Sequence, residues 1–147
     1  MERMRNYVAG FMIAGDRKVA LVKKCKPEWQ RGRLNGIGGK IEDGETPYDA
    51  MAREFLEETG FATKGDEWHR FAVLSDDNTF CVHFFCRHVV AMPVLRTMEE
   101  EEIVTVRIDS ITTKNAIPNL TWLIPMALTI GNGESARCFV VCEGEPS

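Results

Sequence analysis

The 147-residue chain reads as an α+β protein, a layered sandwich, on three observations. Most of its predicted strands come in hairpins, two separate segments carry helical periodicity, and no internal repeat, linker or low-complexity stretch interrupts them. With 44% hydrophobic residues the chain is long enough for one well-buried core and too short for two ordinary domains, so residues 1–147 are expected to form a single soluble domain.

Tyr7 to Ala14 and Lys18 to Lys24 are apolar runs separated by Gly15-Asp16, which makes them a hairpin. The charged, glycine-rich "KPEWQRGRLNGIGGK" reads as an exposed loop that re-enters the sheet near Gly36 to Ile41, and loops of this kind usually carry function. From Thr46 the periodicity turns helical, with Thr46 as N-cap, Pro47 at the first helical position and Gly60 just past the end. Tyr48, Met51, Ala52 and Phe55 then form the stripe expected to pack on the core. Trp68 to Leu74 and Thr79 to Val90 read as a second hairpin turning at Asp76-Asp77-Asn78, and Ile103 to Ile108 as a further strand. Asn119 to Ile130 is a second helix, with Leu120, Leu123, Ile124, Ala127 and Leu128 at core spacing and Pro125 implying a kink or a later start. Arg137 to Val141 adds a last strand.

The net charge of -4 gives no basic footprint for duplex nucleic acid, so a polyanionic ligand would be held through metal ions or a local patch. A small phosphorylated molecule fits better. Five cysteines (Cys25, Cys81, Cys86, Cys138, Cys142) match no zinc spacing and read as reduced, mostly buried thiols in a cytoplasm. No apolar run approaches the roughly 20 residues that cross a bilayer, so no membrane association is expected. The exposed hairpins leave a homodimer open.

Residues three and four apart are neighbours on a helix, so Glu54 lies beside Glu57 and Glu58, roughly 120° around from the apolar stripe and on an expected exposed strip. Like charges so crowded destabilise a helix unless cations bind them, and hard divalent ions prefer oxygen ligands. A solvated acidic face is the plain alternative. The full spacing decides between them. Counting from Gly39, five residues lead to Glu45, seven more to Arg53-Glu54, then Phe55, one residue, Glu57-Glu58, one residue, Gly60 and Phe61.

This run, residues 39–61, resembles the box of the Nudix hydrolases, G-x5-E-x7-R-E-U-x-E-E-x-G-U, with Phe at both bulky apolar U positions. The resemblance implies a Nudix-like α/β/α sandwich around a mixed β-sheet, in which a loop-helix-loop holds Mg²⁺ (or Mn²⁺). By that likeness Gly38 offers a backbone carbonyl to the metal, and Glu54, Glu57 and Glu58 supply carboxylates. Glu45 and Arg53 form the ion pair that ties loop to helix. The implied reaction is hydrolysis of a nucleoside diphosphate-X linkage, with metals neutralising phosphate charge and lowering the pKa of an attacking water. Glu54 is the first choice of general base, and Glu100, in "TMEEEEIVTVRID", matches a further acid that the family draws from a downstream loop.

Outside the box, "RLNGIGGKIEDGE" resembles the corresponding segment of Nudix triphosphatases that clear oxidised purine nucleotides, where an Asn hydrogen-bonds the base. Asn35 matches it, and Asn-Gly is equally a common turn pair. "NAIPNLTWLIPMAL" resembles their second-helix region: Ile117 and Pro118 fit loosely, whereas Asn119 and Leu120 stand where acidic base-readers would be. Lys40, after the double glycine, is the best-placed cation for a phosphate oxygen. Trp122 reads as core, and Trp29 as a loop residue that could gate or stack on a base. The expected activity is conversion of a (d)NTP, a small-molecule nucleotide, to (d)NMP and pyrophosphate. ADP-ribose, nucleotide sugars or dinucleoside polyphosphates are the rival substrates, and a non-catalytic nucleotide-binding module is the rival of another class.

Overall fold

In the computed structural model β1 (Arg5–Ala14) is the axis of the sheet, and its burial on both faces explains its near-continuous apolar run. The structure describes residues 4–76, 79–130 and 139–142, the last as backbone. Asp77, Asn78, Arg137, Cys138 and the Cys142 side chain, on which some of the expectations above fall, lie outside the described residues.

β1 runs parallel to β6 (Phe80–Val89) from Arg5↔Phe80 to Ala14↔Val89, so the two predicted hairpins are joined through non-consecutive strands. Beyond β6 lie β5 (His69–Ser75), antiparallel, and β8 (Phe139–Cys142), parallel to β5. The sheet is therefore mixed. On its other edge β1 pairs β2 (Lys18–Lys23) only near their turn, at Met12↔Ala20 and Ile13↔Val19. The two strands then diverge, and the following segment fills the fork: β3 (Leu34–Asn35) pairs β2, while β4 (Ile37–Lys40) pairs β1. β7 (Glu102–Arg107) covers the far edge of β2.

Strand alternation sends Val8 and Met12 to one face of β1 and Phe11 and Ile13 to the other, and each set nucleates its own core. Helix α1 (Pro47–Thr59) packs Ala50, Met51 and Phe55 with Val8, Met12, Ile37 and Trp68 on the first face. Helix α2 (Leu120–Ile130) packs Leu120, Leu123, Ile124 and Ala127 with Phe11, Leu21, Phe71 and Phe84 on the second. This is the expected sandwich of helices about a mixed sheet. Cys86 is buried in it, and burial pushes its thiol up to about 12, whereas Cys25 is exposed. No helix among the described residues is long and apolar enough to cross a membrane.

The ends of α1 follow the sequence signals. Thr46 Oγ1 accepts from the Asp49 N–H at 3.1 Å, Pro47 opens the first turn, and Gly60 closes the helix in the left-handed conformation (φ 75°). The buried face differs from the expected stripe. It comprises Ala50, Met51, Phe55 and Thr59, while Tyr48 is exposed at its rim with its ring edge-on to Phe85. Helix α2 contains Pro125 and still begins at Leu120, without a later start.

Candidate functional site

Arg53 organises the loop between β4 and α1. Its Nε donates to Glu45 Oε2 at 2.7 Å and its Nη2 to Glu45 Oε1 at 3.0 Å, a bidentate pair, and Nη2 also donates to the Lys40 carbonyl at 2.9 Å. The Glu42 N–H donates to Glu45 Oε1, which closes the loop on itself. The hydrogen bond from Arg53 holds the Glu45 carboxyl below its ordinary range, and Glu45 in turn raises Arg53. Through Nη1 the same guanidinium reaches Glu54 Oε1 at 3.0 Å and Glu57 Oε2 at 3.1 Å.

The three helix acids do not share one exposed strip. Glu57 is 46% exposed, but the Glu54 side chain is only 14% exposed and Glu58 is half-buried. Glu54 turns toward the sheet because Gly39 leaves room there: a Cβ at 39 would lie 2.5 Å from the Glu54 carboxyl carbon. Burial raises the pKa of Glu54, with Arg53 opposing. Burial, then the charge of Glu54, pushes Glu58 up to about 7, with Lys24 opposing. Glu99 raises both, so the downstream loop does bring an acid toward the helix.

The donor set is all oxygen, as hard divalent cations require, and Gly39 lets the strand backbone come against the Glu54 carboxyl. Among the described residues no three acidic, histidine or cysteine side chains converge as a preformed metal set, and Arg53 spans Glu54 and Glu57. The residues thus fit such an ion in donor chemistry, with the Arg53 contacts as the groups that must yield.

One consequence is measurable without substrate. A carboxyl whose folded pKa lies above its unfolded value favours folding fully below the unfolded pKa and loses that contribution as pH rises through the folded one. For Glu58 the window runs from about pH 4.5 to about 7. Glu45 is held low by Arg53, and Glu101 is held low because bonds to Cys25 and Lys24 outweigh its burial, so both act below that window. In metal-free protein Glu58 should contribute a slope of about 1–2 kcal/mol lost between pH 5 and 7.5, discounted for solvent screening; Glu54, raised by burial, adds to it, and His83, lowered by burial and by Arg70, opposes it. Thermal melts should show that slope in the native protein and a flattened one in Glu58→Gln; equal slopes would remove Glu58 as its source.

A cleft runs along the fork in the sheet and reaches Gly39, against which the Glu54 carboxyl lies. Lys24, Pro27, Gln30, Asn35, Gly36, Gly38 and Gly39 contribute to its first part, ≈360 Å³. Tyr7, Ala9, Gln30, Asn35 and Val82 continue into a second part of ≈460 Å³, where Trp29, Phe84, Ile117 and Asn119 join them. The segment before α2 is bound there because the Leu34 N–H donates to Asn115 O and the Ile117 N–H to Leu34 O, both at 2.9 Å. Asn35 serves the turn and the cleft together: its Oδ1 accepts from the Gly36 N–H at 2.8 Å, and its Nδ2 donates to Gln30 Oε1 at 3.1 Å. Asn119 Oδ1 is buried without a hydrogen-bond partner among the described residues.

Two expected residues fall elsewhere. Lys40 lines a separate hollow with Arg5, Glu42 and Asp43, because strand alternation turns it away from the face on which Gly39 meets Glu54. Glu100 lines a hollow with Lys23, Arg31 and Glu102, and its neighbours Glu99 and Glu101 are the loop acids whose charges reach Glu58. Trp122 is 37% exposed rather than core, while Trp29, 62% exposed, stands at the rim of the cleft. Tyr7 and Gln30 were not singled out in the sequence, and no local pattern marks either.

A NUDIX domain family model matches residues 4–123. An oxidized purine nucleoside triphosphate hydrolase of Mus musculus is 32% identical over 103 residues, covering 66% of this chain and 64% of that protein, so the chain spans a little less than two thirds of that relative. The crystal structure of a NUDIX hydrolase from Nitrosomonas europaea has a TM-score of 0.74 at 17% identity, covering 99% of this chain and 81% of that one. A bifunctional NMN adenylyltransferase/ADP ribose pyrophosphatase from Francisella tularensis, solved with AMP and a Mn ion, has a TM-score of 0.72 at 14% identity, covering 88% of this chain and 42% of that one. At such identities the likeness of the two structures concerns the fold.

Proposed function

The chain belongs to the NUDIX family, and from that premise we propose that it is a Mg²⁺-dependent pyrophosphohydrolase, a single domain over residues 1–147 working in the cytoplasm, that converts a (d)NTP to (d)NMP and pyrophosphate. The observation that carries this reading is the position of Glu54: its carboxylate lies against Gly39 at the head of a cleft whose other end gathers Asn35, Ile117 and Asn119.

The Gly38 carbonyl with Glu54, Glu57 and Glu58 would hold the cation, which supplies charge neutralisation and a water of lowered pKa. Glu54 would be the residue placed to take a proton from the attacking water; hydrolysis would form a P–O bond to that water's oxygen and break the anhydride P–O bond, whose electron pair leaves with pyrophosphate. Glu99 joins Glu100 as an acid of the downstream loop, its charge helping to keep Glu54 and Glu58 basic. Arg53 fixes the loop through Glu45 and the Lys40 carbonyl, so Gly38 and Gly39 stay at the acids.

At the far end, the unpaired Asn119 Oδ1 favours a nucleobase that presents an N–H, because leaving such an acceptor buried and unmade costs about 1–3 kcal/mol. Asn35 lines the same part of the cleft, its amide already bonded to Gln30 and the Gly36 N–H, and Ile117 and Trp29 offer apolar surface for a ring face. The mouse relative's name supports a purine nucleoside triphosphate as the substrate class. A panel of (d)NTPs, oxidised purine nucleotides, ADP-ribose, nucleotide sugars and dinucleoside polyphosphates, with product analysis, tests this reading. Pyrophosphate should appear from triphosphates with the highest kcat/KM. A preference for ADP-ribose would overturn the substrate, and binding with no turnover of any member would mean a nucleotide-binding module.

A further inference from the structure

Glu101 is held by neither the acidic helix nor the base end of the cleft. Its side chain, 14% exposed, reaches across from the segment before β7 to the loop between β2 and β3. There Oε1 accepts from Lys24 Nζ at 2.9 Å, and Oε2 accepts from the Cys25 N–H at 2.5 Å and the Lys26 N–H at 3.4 Å. Three donors on consecutive residues converge on one carboxylate. The loop so held, Lys24 to Arg33, carries Trp29 and Gln30 over the cleft. Its base is closed independently, by the Lys24 N–H on Arg33 O and the Gly32 N–H on Lys24 O, so Glu101 acts on its height and not on its existence.

The other end of the connection is tied to the catalytic helix. The Arg96 N–H donates to Thr59 O at 2.9 Å and the Met98 N–H to Glu58 O at 3.1 Å, and Glu99 lies between Met98 and the latch. One short segment thus touches the backbone of Glu58, the acids' electrostatic surroundings and the loop over the substrate.

We propose that Glu101 is a positioning residue, a latch that fixes the Lys24–Arg33 loop over the cleft and thereby sets affinity for the nucleotide. What the loop covers rests on the function proposed above; the latch itself does not. Replacing Glu101 by Ala removes all three acceptor contacts, whereas Glu101→Gln keeps an amide oxygen for the Cys25 N–H. Charge-assisted hydrogen bonds of this kind are worth about tenfold or more in an equilibrium.

The experiment is amide hydrogen exchange over residues 24–33, alkylation of the exposed Cys25, and kcat and KM for the best triphosphate, in native, Glu101→Ala and Glu101→Gln proteins. Expected in Glu101→Ala are faster exchange and alkylation in that loop alone, KM raised about tenfold or more, and kcat within about threefold. Glu101→Gln should recover most of the loop's protection and of KM. Unchanged exchange would overturn the latch whatever the kinetics, and so would a fall in kcat at constant KM, which would place Glu101 in the chemistry. If Glu101→Ala fails to fold, the Gln variant decides by the same readings. Should no nucleotide be turned over, exchange and alkylation still judge the latch while the proposed reaction alone fails.

Discussion

Glu54→Gln is expected to lower kcat by about 10²–10⁴-fold, the range for removing a positioned general base, with KM changed far less. The substitution is isosteric, and the amide oxygen can still accept from Arg53 Nη1, so the loop held by Arg53 and Glu45 stays in place. Melting should not fall. Burial already raises the pKa of this carboxyl, which means that the ionised form is disfavoured in the fold and a neutral amide relieves that cost. A variant that melts at or above the native temperature and has lost its turnover is therefore the expected combination. A kcat within tenfold of native would make Glu54 a bystander and move the base to Glu57 or Glu58.

That combination of stability and inactivity is invisible on a helical wheel. The wheel places Glu54, Glu57 and Glu58 on the solvent side and Tyr48 and Ala52 in the core, because it assumes that carboxylates seek water. The fold reverses this for Glu54 and Glu58. For Glu54 the space is provided by Gly39, on a strand fifteen residues earlier, and the interaction is tertiary. The box spacing does carry the loop-helix unit and its caps, since Thr46, Pro47 and Gly60 act on their own helix by local chemistry. It also carries the Glu45–Arg53 pair.

Register was less legible. Four consecutive glutamates lead into β7, the last of them its first residue, and only the pairing Lys23↔Glu102 determines which of them face the helix and which face solvent. Lys40 was misplaced for the same reason, one step of strand alternation. The parallel pairing of β1 with β6 joins residues 75 apart, from Arg5↔Phe80 to Ala14↔Val89, for which a single sequence holds no local signal. Asn35 and Asn119 were legible by resemblance, but the unpaired state of Asn119 Oδ1 emerges only from packing.

The adjacent glycines of β4 should respond to one added methyl group in opposite ways. In Gly38→Ala the new Cβ would lie 1.9 Å from Val8 O, 2.7 Å from Val8 C and 2.8 Å from Ala9 Cα, all backbone atoms of β1. β1 cannot step aside, because its other edge is paired to β6 along its whole length. The β1–β4 ladder must open instead, a loss of about 3 kcal/mol or more that should lower the melting temperature by about 6–12 °C. In Gly39→Ala the Cβ meets the end of the Glu54 side chain, which can rotate away, so the fold survives while the carboxylate leaves the head of the cleft. That protein should melt within about 2 °C of native and lose activity nearly as Glu54→Gln does. Melts and turnover on the two variants separate the roles: Gly38 is required for the close approach of two strands, Gly39 for the place of one acid. Equal melting of the two would show that β4 does not lie this close to β1, and with it the position of Glu54 would have to be redrawn.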